Sequence, residues 1–501
     1  MDMETLLSFD WGMMAPEFTI LIVATFLSLL DLFGKKEWNR THFGWIGIGG
    51  IILALVFLFL QTGHEPEMIL NNTYRLDAFS LSFKWILLLG VLFVLLMGMS
   101  YGSDKEIQYR GEFYYLLLTA LLGAMMMASS ADLITLFVGL ELLTISSYIL
   151  AGIQKRSAKS NEAAMKYIIN GGISTAFTLF GFSYIYGLTG STNLAVIAQE
   201  ISNISAGNGQ SLLAIAFIIS FVGLAFKIAT APFHMWAPDV YEGSPTPVTA
   251  FLSVVSKTAG FVIILRIFLS IFLFAEGREP DELFIQSMMI FISVLAAITM
   301  ITGNVIALKQ RNMKRLFAYS SIAHAGYLLV PFLALSPMLF ESIWFYLVAY
   351  LLMNLGAFAI IQVMIASDQS EDMNIFTGLF YRKPSLAVLM TIFLLSLAGI
   401  PGTAGFIGKL NIFLSALFAD PSRYVIAAIM LGTTVISYVY YFGIMVQMFF
   451  RPSQSAASIR FPVGVTITIV VCAIGTVLLG ILPELILGLF QENFNLDEMF
   501  Y

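Results

Sequence analysis

About fourteen stretches of this 501-residue sequence stay apolar for the roughly 20 residues a helix needs to cross some 30 Å of hydrocarbon. They begin near Met14, Phe43, Ala78, Gly111, Leu133, Ala163, Ser211, Pro247, Leu283, Leu316, Glu341, Pro384, Arg423 and Phe461. In lipid every backbone N–H and C=O must be bonded within the protein, so the pattern predicts an all-α integral membrane bundle. Only 11% of the residues are charged, where soluble domains carry about 25%. The weakest boundary is Ser129-Ser130-Ala131-Asp132, a very short link between the fourth and fifth runs.

Orientation follows from the loops. With the N-terminus outside, the inward-facing loops carry Lys35, Lys36, Arg40, Lys105, Arg110, Lys155, Arg156, Lys159, Lys166, Lys309, Arg311, Lys314, Arg315, Arg382, Lys383, Arg451 and Arg460. The other side has Arg75, Arg278 and Arg423, and Lys84, Lys227, Lys257, Arg266 and Lys409 fall inside spans. This asymmetry obeys the positive-inside rule and predicts both termini outside, with an even number of spans. The first residues, Met1-Asp2-Met3-Glu4, are acidic, the reverse of a cleaved signal, so the first run reads as a retained span.

Several function classes drop out. Cys472 is the only cysteine, which removes intrachain disulfides, CxxC redox pairs and cysteine-held iron–sulfur clusters within the chain. Of the four histidines, His42 and His64 fall in or beside loops, leaving too few for a bis-histidine haem. No glycine-rich phosphate cradle follows a strand, and no basic domain or tail suggests nucleic-acid binding. The reading is no cofactor and no metal in this chain.

Two spans look broken. Lys227-Ile228-Ala229-Thr230-Ala231-Pro232-Phe233-His234 puts a proline close behind a lysine in the seventh. In the twelfth, Ala398-Gly399-Ile400-Pro401-Gly402-Thr403-Ala404-Gly405 precedes Lys409. Proline disrupts the local ladder, and in a bilayer such a break survives only beside protein or a wet cavity. The breaks lie five spans apart, so the enclosing segments run in opposite directions, the pattern of an inverted-repeat transporter with its site at the broken helices. The expected division is 1–110 (three N-terminal helices), 111–272 and 283–450 (two five-helix repeats), and 451–501 (last helix and tail).

Inside the apolar runs stand Glu141, Lys227, Lys257, His324 and Lys409. A charge at the bilayer centre costs roughly 2.5–3.5 kcal/mol even on insertion scales, so such groups are functional by default. Glu141 is nine residues past Asp132, about 13 Å deep, and Lys257 is about 18 Å deep, beyond the reach of snorkelling. A Glu–Lys pair that forms and opens would load and release a proton, because burial and a neighbouring carboxylate push a lysine in opposite directions. Histidine as a residue type titrates near neutrality, and His324 has hydroxyl neighbours; Lys409 would be the far station. The bland readings are a counter-ion for Glu141, a cap on broken-helix carbonyls for Lys227, and a satisfied interior group for His324. His234, just after Pro232, is an accessory candidate. Lys84 and Arg266 lie near span ends and are read as snorkelling, structural groups.

The blocks around Glu141 (Gly139-Leu140-Glu141-Leu142-Leu143), Phe226 to Val248 with Lys257, and Asn312 to Tyr327 resemble the antiporter-like membrane subunits of respiratory complex I, the proton-translocating NADH–quinone oxidoreductase. The resemblance covers nearly the whole chain. Lys409, where the M-type branch has glutamate, and the absence of the long lateral helix of the L-type branch point to the N-type branch. The resemblance implies Glu141 and Lys227 as a switching pair, Lys257 as the bridge, His324 as a central relay and Lys409 as the terminal lysine. It also implies a bacterial inner membrane, an adjacent antiporter-like subunit and small membrane subunits as partners, and NADH, flavin, iron–sulfur clusters and quinone in other subunits. Two other classes share much of the pattern: a subunit of a multisubunit cation/proton antiporter, and a membrane anchor whose buried charges only fix helix register.

Overall fold

The computed structural model describes residues 8–35, 38–101, 110–202, 204, 208–272, 275, 283–334, 338–419, 421–452 and 459–493. Lys36, Lys105, Arg278 and the last eight residues lie outside them. Among the described residues, 13 helices are long and apolar enough to cross a bilayer. Those before the first break are Ala15–Phe33, Thr41–Leu60, Ala78–Gly98, Arg110–Ser129, Leu133–Ala151, Ala158–Thr189 and Asn208–Lys227. After it come Thr246–Phe272, Phe284–Ala307, Met313–Leu333, Leu339–Asp368, Tyr424–Phe450 and Val463–Ile481. The twelfth crossing is made in two pieces, Pro384–Ala398 and Ala404–Leu417, which completes fourteen spans.

Local chemistry sets the ends. The doubtful fourth-to-fifth link is a true boundary, because the Asp132 carboxylate caps the fifth span through the amides of Ile134 (2.8 Å) and Thr135. Pro16, Pro247 and Pro384 sit in first turns, where their missing N–H costs nothing. The sequence gives no hint of one element: a two-stranded hairpin, Glu67–Ile69 with Tyr74–Leu76, before the third span. Three-residue strands leave no period-2 pattern to read, and the turn between them uses left-handed Asn71 and Asn72 (φ 56° and 62°).

The eighth span is buried along its whole length and the tenth nearly so, whereas the sixth exposes most of its surface. The eighth is not a regular helix. A π-helical turn, Leu252–Ser256, runs into Lys257, and such wide turns gather at functional positions. Around this axis pack the third and eleventh spans, the latter in contact with the second half of the twelfth and with the fourteenth.

On one face, ion pairs join residues from four loops or span ends. Lys159 pairs with Glu242 (2.7 Å), Lys166 with Asp239 (2.5 Å), Arg315 with both carboxylates (2.6 and 3.0 Å), and Lys314 with Glu371 (2.7 Å). Burial works against the Asp239 and Glu242 carboxyls, but Lys166, Lys159 and Arg315 hold both below the usual carboxylate range. These are residues the loop alternation assigns to a single side. Lys314 departs from that reading in one respect: it is buried at the start of the tenth span, not a loop cation.

Two further expectations are corrected. Lys84 does not snorkel; it is fully buried, 2.6 Å from Glu17 and 3.0 Å from the Tyr74 hydroxyl. Arg266 is also buried, forked onto Asp77 at 2.5 and 3.0 Å. Both cations turn inward because a carboxylate on another segment meets them, which spacing along a single helix cannot reveal.

Candidate functional site

The seventh span ends at Lys227, and the chain then opens until the short helix Trp236–Gly243. The amides and carbonyls freed there are bonded by side chains. Trp236 Nε1 donates to the Phe226 carbonyl (3.0 Å), Thr230 closes on Ala225, and the Ala231 amide donates to Thr299 Oγ1 (3.0 Å). This satisfies the requirement for a break at bilayer depth.

Lys227 does not cap these carbonyls. Its Nζ approaches Thr144 Oγ1 (3.4 Å) and lies 5.9 Å from the centre of the Tyr167 ring, which stacks on Trp236. Its stem rests against Gly260, one turn beyond Lys257, where an added Cβ would come within 3.2 Å of Lys227 Cγ. Glu141 stands one turn before Thr144 on the fifth span, near enough for its charge to act on Lys227. Among the described residues no ion pair joins the two. The carboxylate instead accepts from Thr175 Oγ1 (2.8 Å) and is half-exposed on the lateral surface beside exposed Val138 and Ile145.

Lys257 is buried and donates to both the carbonyl and the hydroxyl of Ser321 (2.5 Å each). A second set of hydroxyls begins at the adjacent Ser320. Ser320 Oγ meets the Tyr441 hydroxyl (2.5 Å), Tyr441 meets His324 Nε2 (3.3 Å), and His324 Nδ1 bonds the Tyr346 hydroxyl. His324 lies within electrostatic reach of both Lys257 and Lys409. Its ring is packed edge-on against Tyr327, over whose face the Lys409 ammonium sits at 5.0 Å. Tyr327 is held in turn by Asn304, which accepts from Tyr440 (2.9 Å).

Lys409 takes the capping role considered for Lys227. It donates to the carbonyls of Leu397 (2.8 Å) and Ala398 (3.1 Å), the free end of the first half of the twelfth span. Gly399 makes room for it: its φ is +84°, and a Cβ there would lie 2.8 Å from Lys409 Cδ. Gly402 has nearly the same φ, +88°, with nothing within 4 Å. The pair separates two effects. Gly399→Ala and Gly402→Ala should both cost about 1–2 kcal/mol of backbone strain, but only Gly399→Ala should also displace Lys409 and lower proton pumping severalfold. Equal pumping by the two variants would remove any role for the Lys409 seat.

His234 stands apart from these groups. It is half-buried within the first break, with Nδ1 bonded to no described group. The structure therefore brings Lys257, His324 and Lys409 into one electrostatic neighbourhood, sets Lys227 beside the eighth span, and leaves Glu141 at the side and His234 in the break. Sequence reasoning missed the tyrosines, Tyr167, Tyr327, Tyr346 and Tyr441. The signal was present in Tyr440-Tyr441 and in the Tyr-rich eleventh span, but aromatic residues are so common in membrane helices that it does not stand out. Among the described residues no group of three His, Cys, Asp or Glu side chains is placed to hold a metal ion.

Residues 130–437 match the family model described as NADH:quinone oxidoreductase/Mrp antiporter, TM. The chain is 60% identical to NADH-quinone oxidoreductase subunit N of Geobacillus sp. (strain WCH70), covering 97% of this chain and 99% of the relative. It is 55% identical to the same subunit of Bacillus anthracis, covering 100% and 99%. A chain of respiratory complex I from Thermus thermophilus superposes with a TM-score of 0.78 at 32% identity, covering 94% of this chain and 98% of that one. A chain of the Mrp complex from Dietzia sp. DQ12-45-1b reaches a TM-score of 0.81 at 18% identity, a likeness of fold alone. With more than half its sequence shared with these relatives across whole chains and its fold shared with a complex I chain, this protein belongs to the subunit N family of NADH-quinone oxidoreductase, the antiporter-like membrane subunits of proton-pumping respiratory complex I.

Proposed function

We propose that this subunit carries protons through Glu141, Lys227, Lys257, His324 and Lys409, driven by quinone reduction in other subunits. The observation that supports it most is the clustering inside the bundle of Lys257 on Ser321, the bonded set Ser320, Tyr441 and His324 that starts at the adjacent residue, and Lys409 within electrostatic reach of His324. Serine and tyrosine hydroxyls both donate and accept, so each passes a proton on without holding a charge. Lysines in a low-dielectric interior have two accessible protonation states, which a lysine in water lacks at neutral pH.

Glu141 is the input. A half-exposed carboxylate among apolar lateral residues is poorly solvated until another subunit covers it. A change of charge in that neighbour, an adjacent antiporter-like subunit, would draw Glu141 toward or away from Lys227 and so change the lysine's hold on its proton. Thr144 and Thr175 then bind the two groups in the separated arrangement. His234 has an accessory role at the break. The repeats at 111–272 and 283–450, an inner-membrane setting with both termini outside, the small membrane subunits as further neighbours, and NADH, flavin, iron–sulfur clusters and quinone held elsewhere belong to the same reading.

Lys227→Ala and Glu141→Ala tests it in complexes reconstituted into vesicles. Each should cut proton pumping and coupled quinone reductase activity severalfold while the complex assembles. Normal pumping by both variants would refute the assignment.

A further inference from the structure

The charged face of the bundle contains a group the path above does not use. Lys314 is buried, with 5% of its side chain exposed, yet its ion-pair partner Glu371 lines an open depression of about 460 Å³. Lys159, Asn312, Gln369, Ser370, Glu371 and Asp372 line that depression. Glu371 forms its floor: one oxygen is 2.7 Å from Lys314 Nζ, and the other accepts from Asn312 Nδ2 (2.8 Å). On its inner side Lys314 donates to the carbonyls of Ser244 (3.0 Å) and Glu242 (3.4 Å), at the end of the short helix that follows the first break. That helix also carries Tyr241, whose hydroxyl is 3.5 Å from Ser321 Oγ, the group that holds Lys257.

Lys314 and Ser321 are seven residues apart on the tenth span. Seven residues are nearly two turns, so both lie on one face, roughly 10 Å apart along the axis. Glu371 on the open depression, the buried ammonium paired with it, and Tyr241 on the helix that Lys314 holds, beside the Lys257 partner Ser321, lie in order from the surface to the bundle centre.

We propose that this depression is where protons are taken up from the positively flanked side, with the Lys314–Glu371 pair as its gate and Lys257 as the receiving group. The proposal rests on the proton-path reading above and adds its source. In the transfer, ammonium Lys314 gives a proton inward through water, Tyr241 and Ser321 to neutral Lys257. Each hydroxyl gives one proton as it receives one. Glu371, protonated from the water of the depression, then restores Lys314, so one proton leaves solvent and one arrives at Lys257. While the ion pair is closed, the Glu371 charge holds the Lys314 proton in place, and this makes the pair a gate and not an open channel.

The assembled complex in inverted membrane vesicles tests this, because that preparation exposes the positively flanked side. Ser370→Cys places a thiol on the exposed wall of the depression, while native Cys472 is fully buried and should not react. Treatment with a bulky, charged, membrane-impermeant thiol reagent should label Ser370→Cys and lower NADH-driven pumping severalfold. Electron transfer to a soluble artificial acceptor should not change. Arg156→Cys, exposed on the same face but outside the lining, should label without loss, and the unsubstituted complex corrects for thiols of other subunits. Gln369→Cys repeats the test from the neighbouring position. Complete labelling of both with pumping unchanged overturns the proposal, and so does a failure of the reagent to reach either thiol. The path itself is tested independently by Lys257 variants in unlabelled complex, so the two failures are distinguishable.

Discussion

Lys257→Met should stop proton pumping by the assembled complex, lowering it tenfold or more, without loss of the subunit from the membrane. The lysine is buried and bonded to Ser321 alone among the described side chains, with no carboxylate beside it. Exchanging a buried amine with no carboxylate beside it for an apolar chain of similar volume leaves no opposite charge stranded, so the fold loses only the two contacts to Ser321. The transfer step loses its acceptor. A barrier raised by only about 1.4 kcal/mol slows it tenfold, and removing the proton acceptor raises it by more. Lys257→Arg is the sharper variant. A guanidinium keeps the charge, and so satisfies any role in fixing helix register, but it does not release its proton in a protein. Pumping should fail in both variants. If Lys257→Arg pumps normally, the charge is structural, and the reading of a buried titrating row fails with it. The measurement is the initial rate of acidification of inverted vesicles on adding NADH, set against the amount of assembled complex.

Much of this architecture was legible because a bilayer leaves the chain few choices. Apolar runs of helix-spanning length and prolines beside glycines are one-dimensional signals, and each marked a real feature of the bundle. The five titratable groups were visible for the same reason, as exceptions to an apolar rule. Their partners were not. Tyr441 comes to His324 from 117 residues away, and Tyr346 from 22, on helices whose facing sides no periodicity distinguishes. The π turn before Lys257 was equally hidden, since its sequence, Leu252-Ser253-Val254-Val255-Ser256, would suit a regular helix. The reading of Lys84 and Arg266 failed through the same missing dimension. Distance from a span end argues for snorkelling only while no carboxylate waits inside, and Glu17 and Asp77 arrive from elsewhere in the chain.

That inner carboxylate carries the largest expected effect on stability. Asp77 is 2% exposed and serves three partners at once: the Arg266 fork, Arg75 Nε at 3.2 Å, and the Ser80 amide at 2.8 Å as cap of the third span. Arg266 in addition lies over the Phe79 ring, 4.2 Å from its centre, and donates to the Ala128 carbonyl. Asp77→Ala leaves a guanidinium buried without its counter-charge, at a cost of about 3–5 kcal/mol, and removes a helix cap worth about 1 kcal/mol. Most of a domain's net stability is of that size, so the variant chain should accumulate poorly and dissociate from the complex on mild heating. Asp77→Ala with Arg266→Leu should recover part of the loss, because the stranded charge is gone, though Arg75 still lacks its partner. The pH dependence has a definite sign. Burial opposes ionisation of Asp77, but Arg266, Arg75 and the Ser80 amide together hold its carboxyl below the usual value. A depressed carboxyl contributes stability that is full above the unfolded value, about 3.9, and is lost as pH falls through the lower folded value. Thermal dissociation of the complex should thus be insensitive to this group from pH 5 upward and weaken only below about pH 4. If Asp77→Ala assembles and melts like the parent chain at neutral pH, the buried fork is not what joins the hairpin and third span to the eighth.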